Sequence, residues 1–141
     1  MRKFRFLIGI VLSLIGVLAL VYVAMSHLNS PDFVDIAKVE PNYRLEAKTI
    51  IDLGKNQDSN YLRTENVVEI RGVVKEINDL NDRITILLGT NKNELSCIIC
   101  DMQSNQKEKI TKLKPNDTIK IKGVFKGFLQ DAIFLNCVIS E

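Results

Sequence analysis

Three cysteines and a scatter of aspartates are the residues with the most obvious capacity for chemistry. Cys97-Ile-Ile-Cys100 has the C-x-x-C spacing of a zinc half-site or of a dithiol redox pair, and Cys137 follows near the C-terminus. On an extended strand, residues three apart point to opposite faces, so the two thiols of that motif would not address one ion. No second C-x-x-C exists, and the single histidine, His27, lies beside a long apolar run. A metal site is therefore not expected, and one core cysteine with one surface or edge cysteine is the simpler arrangement. A disulfide or thiol-redox role for Cys97, Cys100 and Cys137 stays open, with the odd count leaving at least one thiol without an intramolecular partner.

Acid–base or nucleophilic catalysis needs a positioned histidine, a carboxylate pair or an activated Ser or Cys. Asp101, Asp117 and Asp131 fall at strand ends or turns, where aspartate is common for turn reasons alone. No catalytic residue and no cofactor is expected. The most distinctive stretch is Gly123-Val-Phe-Lys-Gly127-Phe-Leu-Gln-Asp131. Its residues Phe125, Lys126, Gly127, Phe128, Leu129 and Asp131 form a candidate contact hairpin. Gly127 supplies a positive φ at a tight turn, and exposed apolar groups at the tip would mark a contact site. In the alternative, Phe128 and Leu129 fold back and plug the end of the domain. Lys107, Lys109, Lys112 and Lys114 are most simply a solvated helix face.

These residues need elements to position them. Phe6 to Met25 is a charge-free run of 20 residues. As a helix it is about 30 Å long, the thickness of a bilayer core. Arg2, Lys3 and Arg5 precede it, and the first charges after it are Asp32 and Asp35. The expectation is a single-pass anchor with its N-terminus inside and the remainder outside; cleavage after Ala24-Met25-Ser26 is the competing outcome. The expected organisation is a basic flank (1–5), a transmembrane anchor (6–25), a juxtamembrane linker (26–42) and a folded domain (43–141). Setting aside the three basic flank residues leaves 16 basic against 17 acidic residues in the exported part.

Leu45, Ile50, Ile51 and Leu53 have the spacing of an amphipathic helix over Tyr43–Leu53, stopped by Gly54. From Val67 the pattern turns to strands: Val67–Ile77 with a mid-strand glycine at Gly72, Arg83–Leu88, Glu94–Met102, Thr118–Phe125 and Ala132–Ser140. A short helix capped by Ser104 falls between the third and fourth. The order β-β-β-α-β-β describes a mainly β domain, an OB-fold: a five-stranded Greek-key barrel preceded here by a short helix. A seven-stranded sandwich would need two more strands.

The tail from Ile119 through Gly123, Gly127, Asp131 and Leu135 to Cys137, together with Val68-Glu-Ile-Arg-Gly72-Val-Val and Cys97, resembles the tRNA_anti-like family, exported bacterial OB-fold proteins named for likeness to an anticodon-binding domain. The resemblance covers roughly Tyr43 to Ser140. Many members carry a cysteine where this chain has Phe125, so a disulfide from that position to Cys137 cannot form, and any oxidation of Cys137 would involve Cys97 or Cys100. The family name invites a nucleic-acid role. Against it, neither the second nor the third strand contains the aromatic residues on which such domains stack bases, and the exported part has no excess of positive charge. The combined expectation is a non-catalytic, membrane-tethered OB-fold module of the bacterial envelope, with the inner membrane as its anchor and a protein or small ligand as its partner. Single-stranded nucleic acid is the alternative.

Overall fold

The structure of the chain, a computed structural model, describes residues 13–25, 35–56, 60–90 and 95–140. It divides into two compact units, Met1–Val34 and Asp35–Glu141. In the first, residues 13–25 are helical (α1), and apolar side chains such as Leu14, Leu18 and Val21 are exposed along it. Residues 6–12 of the expected anchor and residues 26–34 of the expected linker lie outside the described residues. Among the described residues no helix is long and apolar enough to cross a membrane.

The second unit contains β1 (Tyr43–Glu46), α2 (Ala47–Lys55), β2 (Val67–Leu80), β3 (Arg83–Gly89), β4 (Ile98–Met102), a 3₁₀ turn (Ser104–Gln106) running into α3 (Lys107–Ile110), β5 (Thr118–Phe128) and β6 (Ala132–Ser140). The sheet order is β1-β2-β3-β4-β6-β5, and β5 pairs back onto β2 to close the barrel. Strands β4 and β6 are parallel and the other barrel pairs antiparallel. This is the expected five-stranded OB-fold, with one extra strand.

β3, β4 and the first part of β2 show the alternation of a sheet with one buried face, whereas Ile121–Phe125 of β5 is buried throughout. Ile86 and Leu88 of β3 and Ile98 and Cys100 of β4 are fully buried, as are Ile70 and Phe134. A fully buried Ile or Phe of this kind contributes about 1.5–3 kcal/mol of transfer free energy. β2 is long enough to serve two partners: Val67–Val73 pair with β5 and Val73–Leu80 with β3. Gly72 marks the crossover, as its position predicts. A Cβ there would sit 2.9 Å from the Ala47 Cβ and 3.3 Å from that of Leu88. The β2–β3 connection is Asn81-Asp82, both with positive φ (53° and 62°), the pattern of a type I′ hairpin turn.

Three expectations are corrected. Tyr43–Glu46 is not the first turn of a helix but a strand in parallel register with Val68–Arg71. Asn42 fixes its start: its N–H donates to Val67 O (2.7 Å) and its Oδ1 accepts from the Val67 N–H (2.9 Å). Gly54 lies inside α2 rather than ending it. Ser104 caps nothing with its side chain; the residue before the turn is Gln103, and Gln106 instead reaches across to accept the Ile139 N–H at 3.1 Å.

The folded unit also begins earlier than residue 43. Ile36 is buried against Val124, Val138 and Val67 on the outside of the barrel. Beside it, the Lys122 ammonium is buried and donates to the carbonyls of Ala37 and Val39, both at 3.0 Å.

A candidate binding face on the outside of the barrel

The C-x-x-C thiols do not lie on opposite faces of one strand, because β4 begins only at Ile98. Cys100 points inward from β4 and is fully buried, whereas Cys97 lies just ahead of the strand, its N–H donating to Asp131 Oδ1 at 2.8 Å. Burial first, and the Asp131 carboxylate second, push the Cys97 thiol up to about 11. Cys100 is the expected core cysteine, but Cys97 is not on the surface: all three cysteines are buried and free.

Cys137 faces inward because β6 carries a bulge. Lys122 pairs with Val138 and Val124 with Leu135, so Gly123 alone opposes Asn136 and Cys137. Asn136 takes up the extra residue with φ 54°. The Cys137 thiol then fills the space a side chain at Gly123 would need, only 2.5 Å from where its Cβ would stand. It is hydrogen-bonded to the Cys100 thiol, and its pKa is raised well above that of a free thiol, chiefly by burial. Cys137 pairs with Met102 and not with Cys100 across the parallel β4–β6 ladder, and the three thiols are not joined by a disulfide. A thiolate nucleophile or metal ligand needs the opposite environment. No cluster of metal-ligating side chains occurs among the described residues.

The candidate contact hairpin is largely structural. Phe125 is core, 2% exposed, packed on Phe134 and Phe128 with ring centroids 5.2 and 5.0 Å away. Phe128 folds back over α2, where a Cβ on Gly54 would lie 2.9 Å from the ring. Lys126 pairs with Glu65 at 2.6 Å. Gly127 has the expected positive φ, 141°, but it lies within β5, paired with Ile133 beside a register shift, and not at a tight turn. Asp131 is engaged by Cys97. Of the six, Leu129 alone is presented as a large apolar group, at 84% exposure.

Sequence reasoning missed a feature on the outer face of the sheet. Leu87 pairs with Ile99, and Ile99 with Ile133. Paired residues share a face, and their neighbours Ile86, Leu88, Ile98, Cys100, Ala132 and Phe134 are buried inside. The three aliphatics therefore form a half-buried row across β3, β4 and β6 on the outside. Glu76 stands beyond Leu87, and Gly127, which carries no side chain, stands beyond Ile133. In the next row Thr85 faces Asp101, which receives both Nε and Nη2 of Arg83 at 2.8 Å. Across the β2–β3 turn, Lys107 of α3 reaches Asp79 and Asp82 at 3.7 and 3.8 Å. The alternation of β3 and β4 contained this row, but their mutual register did not follow from either strand.

A family model described as tRNA_anti-like matches residues 1–139. No curated protein matches the chain in sequence. Among solved structures, the chain is similar to a lipoprotein from Klebsiella pneumoniae subsp. pneumoniae whose description proposes nucleic-acid binding. The identity is 12% and the TM-score 0.54, over 69% of this chain and 91% of that one. A Stn1–Ten1 complex from S. pombe matches at 8% identity and a TM-score of 0.41, over 52% and 57% of the two chains. Entamoeba histolytica asparaginyl-tRNA synthetase matches at 11% and 0.43, over 57% and 22%. At such identities the first likeness is one of fold.

Proposed function

We propose that this chain, which belongs to the tRNA_anti-like family, is a non-catalytic binding module whose OB barrel engages a protein partner through the aliphatic row Leu87–Ile99–Ile133. The row carries the reading. It occupies the sheet face on which single-strand-binding OB-folds present aromatic stacking platforms, and it offers branched aliphatics instead. Such side chains pack well against other aliphatic side chains but give a base little to stack on. Leu129, on the connection between β5 and β6, adds a further exposed apolar group. The absence of histidine from the folded unit, and the raised thiols, fit a domain that binds without turning over a substrate.

The module works at a membrane in this proposal. Its support is the charge-free run Phe6–Met25 behind Arg2, Lys3 and Arg5, which would hold the chain as a single-pass protein with the barrel outside the inner membrane. Protease added to intact spheroplasts should degrade the barrel; protection until lysis would place it inside and remove this part of the proposal.

A photo-crosslinking residue at Leu87 in the full chain should give one dominant protein adduct in native membranes, lost in the Ile99→Lys variant. A second reading, binding of single-stranded nucleic acid, is favoured by the description of the Klebsiella lipoprotein. Fluorescence anisotropy with single-stranded DNA and RNA at low salt separates the two: submicromolar, salt-sensitive binding would overturn the protein-binding reading.

A further inference from the structure

A cleft lined by none of the residues of the aliphatic row lies at the end of β3. It is a cleft of about 300 Å³ bounded by Glu46, Ala47 and Lys48 where β1 passes into α2, by Arg71, Gly72 and Val73 at the crossover of β2, by Gly89 and Thr90 at the end of β3, and by Thr118 at the start of β5. That volume is at the lower end of small-ligand sites, roughly 300–1,000 Å³.

Its charge is mainly positive. Lys48 and Arg71 line it. Lys120 stands directly across from Arg71 on β5, and like charges so placed on neighbouring strands repel. Gly89 lets the stem of Lys75 lie flat against the backbone, bringing its Nζ within 3.1 Å of where a Cβ would be. The one carboxylate in the lining, Glu46, is 3.6 Å from Arg71 Nη1, and both side chains are 61% exposed. Lys48 meets Asp52 at 3.7 Å, again in the open. Loose, exposed pairs of this kind contribute little, so neither cation is committed to its partner.

We propose that this cleft binds a small ligand through a compact oxyanion, of which a phosphate monoester is the best match. The Arg71 guanidinium offers the planar fork that suits phosphate oxygens, Lys48 adds a point charge, and Thr118, which also lines the cleft, has a hydroxyl able to receive or donate a hydrogen bond. The inference does not depend on the aliphatic row, and either site can exist without the other.

The test uses the full chain, isotopically labelled, in a zwitterionic detergent, with inorganic phosphate as the probe. Saturable shifts of the Lys48, Gly72, Gly89 and Thr118 amides, half-complete at about 1–10 mM, are expected. The Arg71→Ala/Lys48→Ala variant should raise that midpoint at least about tenfold while its other amides stay in place, and Lys112→Ala should leave it unchanged. Doping the micelles with phosphatidic acid distinguishes sources. The same amides shifting without added phosphate indicates a lipid headgroup, and shifts only with free phosphate indicate a soluble ligand. No saturable shift in either arm, or equal shifts with sodium chloride, overturns the proposal.

Discussion

The Cys97 amide donates to Asp131 Oδ1 at 2.8 Å, a contact that ties the approach to β4 to the β5–β6 hairpin just ahead of the Ile98–Ala132 pair. The same carboxylate lies against the Cys97 thiol and helps to hold it neutral. Removing the charge while keeping the acceptor separates the two roles. Asp131→Asn should preserve the fold and lower the Cys97 pKa from about 11, so that this thiol alkylates faster at pH 9. Asp131→Ala also leaves the amide unpaired, at a cost of about 1.5–3 kcal/mol. Iodoacetamide kinetics with peptide mapping, beside urea denaturation, check both.

The raised thiols also fix a pH dependence. A thiol that ionises in the unfolded chain near its ordinary value of 9.0, and in the fold only at about 11, favours the folded state while neutral. Its contribution is complete below pH 9 and is lost as pH rises toward 11. Wild type should therefore lose more thermal stability between pH 9 and 11 than Cys97→Ala. Parallel alkaline slopes for the two proteins would contradict the assignment.

Phe128 and Gly54 form an interlocked pair. A methyl at Gly54 would meet the ring at 2.9 Å, so Gly54→Ala should cost about 1–3 kcal/mol by overpacking. Phe128→Ala should abolish most of that penalty, and a double-mutant cycle would read it as coupling between the two positions.

Lys122 should prove structural despite its charge. Lys122→Met leaves the carbonyls of Ala37 and Val39 without their donor, and the loss should be about 1–3 kcal/mol. The amides of Lys38 and Val39, which close the turn onto Asp35 and Ile36, should exchange with solvent faster than those of β6. Unchanged exchange at both would show that Ile36 alone holds the segment.

What could be read in advance, and what could not, follows the range of the forces involved. Alternation along Arg83–Leu88 and at Ile119–Lys122, the positive φ of Gly127 and the break at Gly72 are local, and the OB-fold followed from them. β1 escaped because four residues paired in parallel with β2 have no periodicity of their own; Tyr43 and Leu45 suit a helix face equally well. Ile36 escaped because its seat, Val67, Val124 and Val138, is assembled from three distant segments. Phe125 was taken for a contact residue because nothing local distinguishes it from Leu129; only the facing Phe134 does. The row Leu87–Ile99–Ile133 is a matter of register between strands, which no single strand encodes.

The bulge at Asn136 divides β6 into two strands of opposite parity. Before it, even-numbered residues such as Ala132 and Phe134 face the core and Ile133 joins the outer row. After it, Cys137 and Ile139 face the core, Val138 seats Ile36, and the Ser140 hydroxyl donates to Glu69 Oε2 at 2.8 Å. The nine-residue strand thus places Ile133 in the outer aliphatic row along one half and the seat of Ile36 along the other, with Asn136 absorbing the odd residue between them. Deleting Asn136 would restore a regular ladder with Gly123 opposite Cys137 and keep every side chain beyond it on its present face, whereas ironing out the bulge with Asn136 retained would reverse them all.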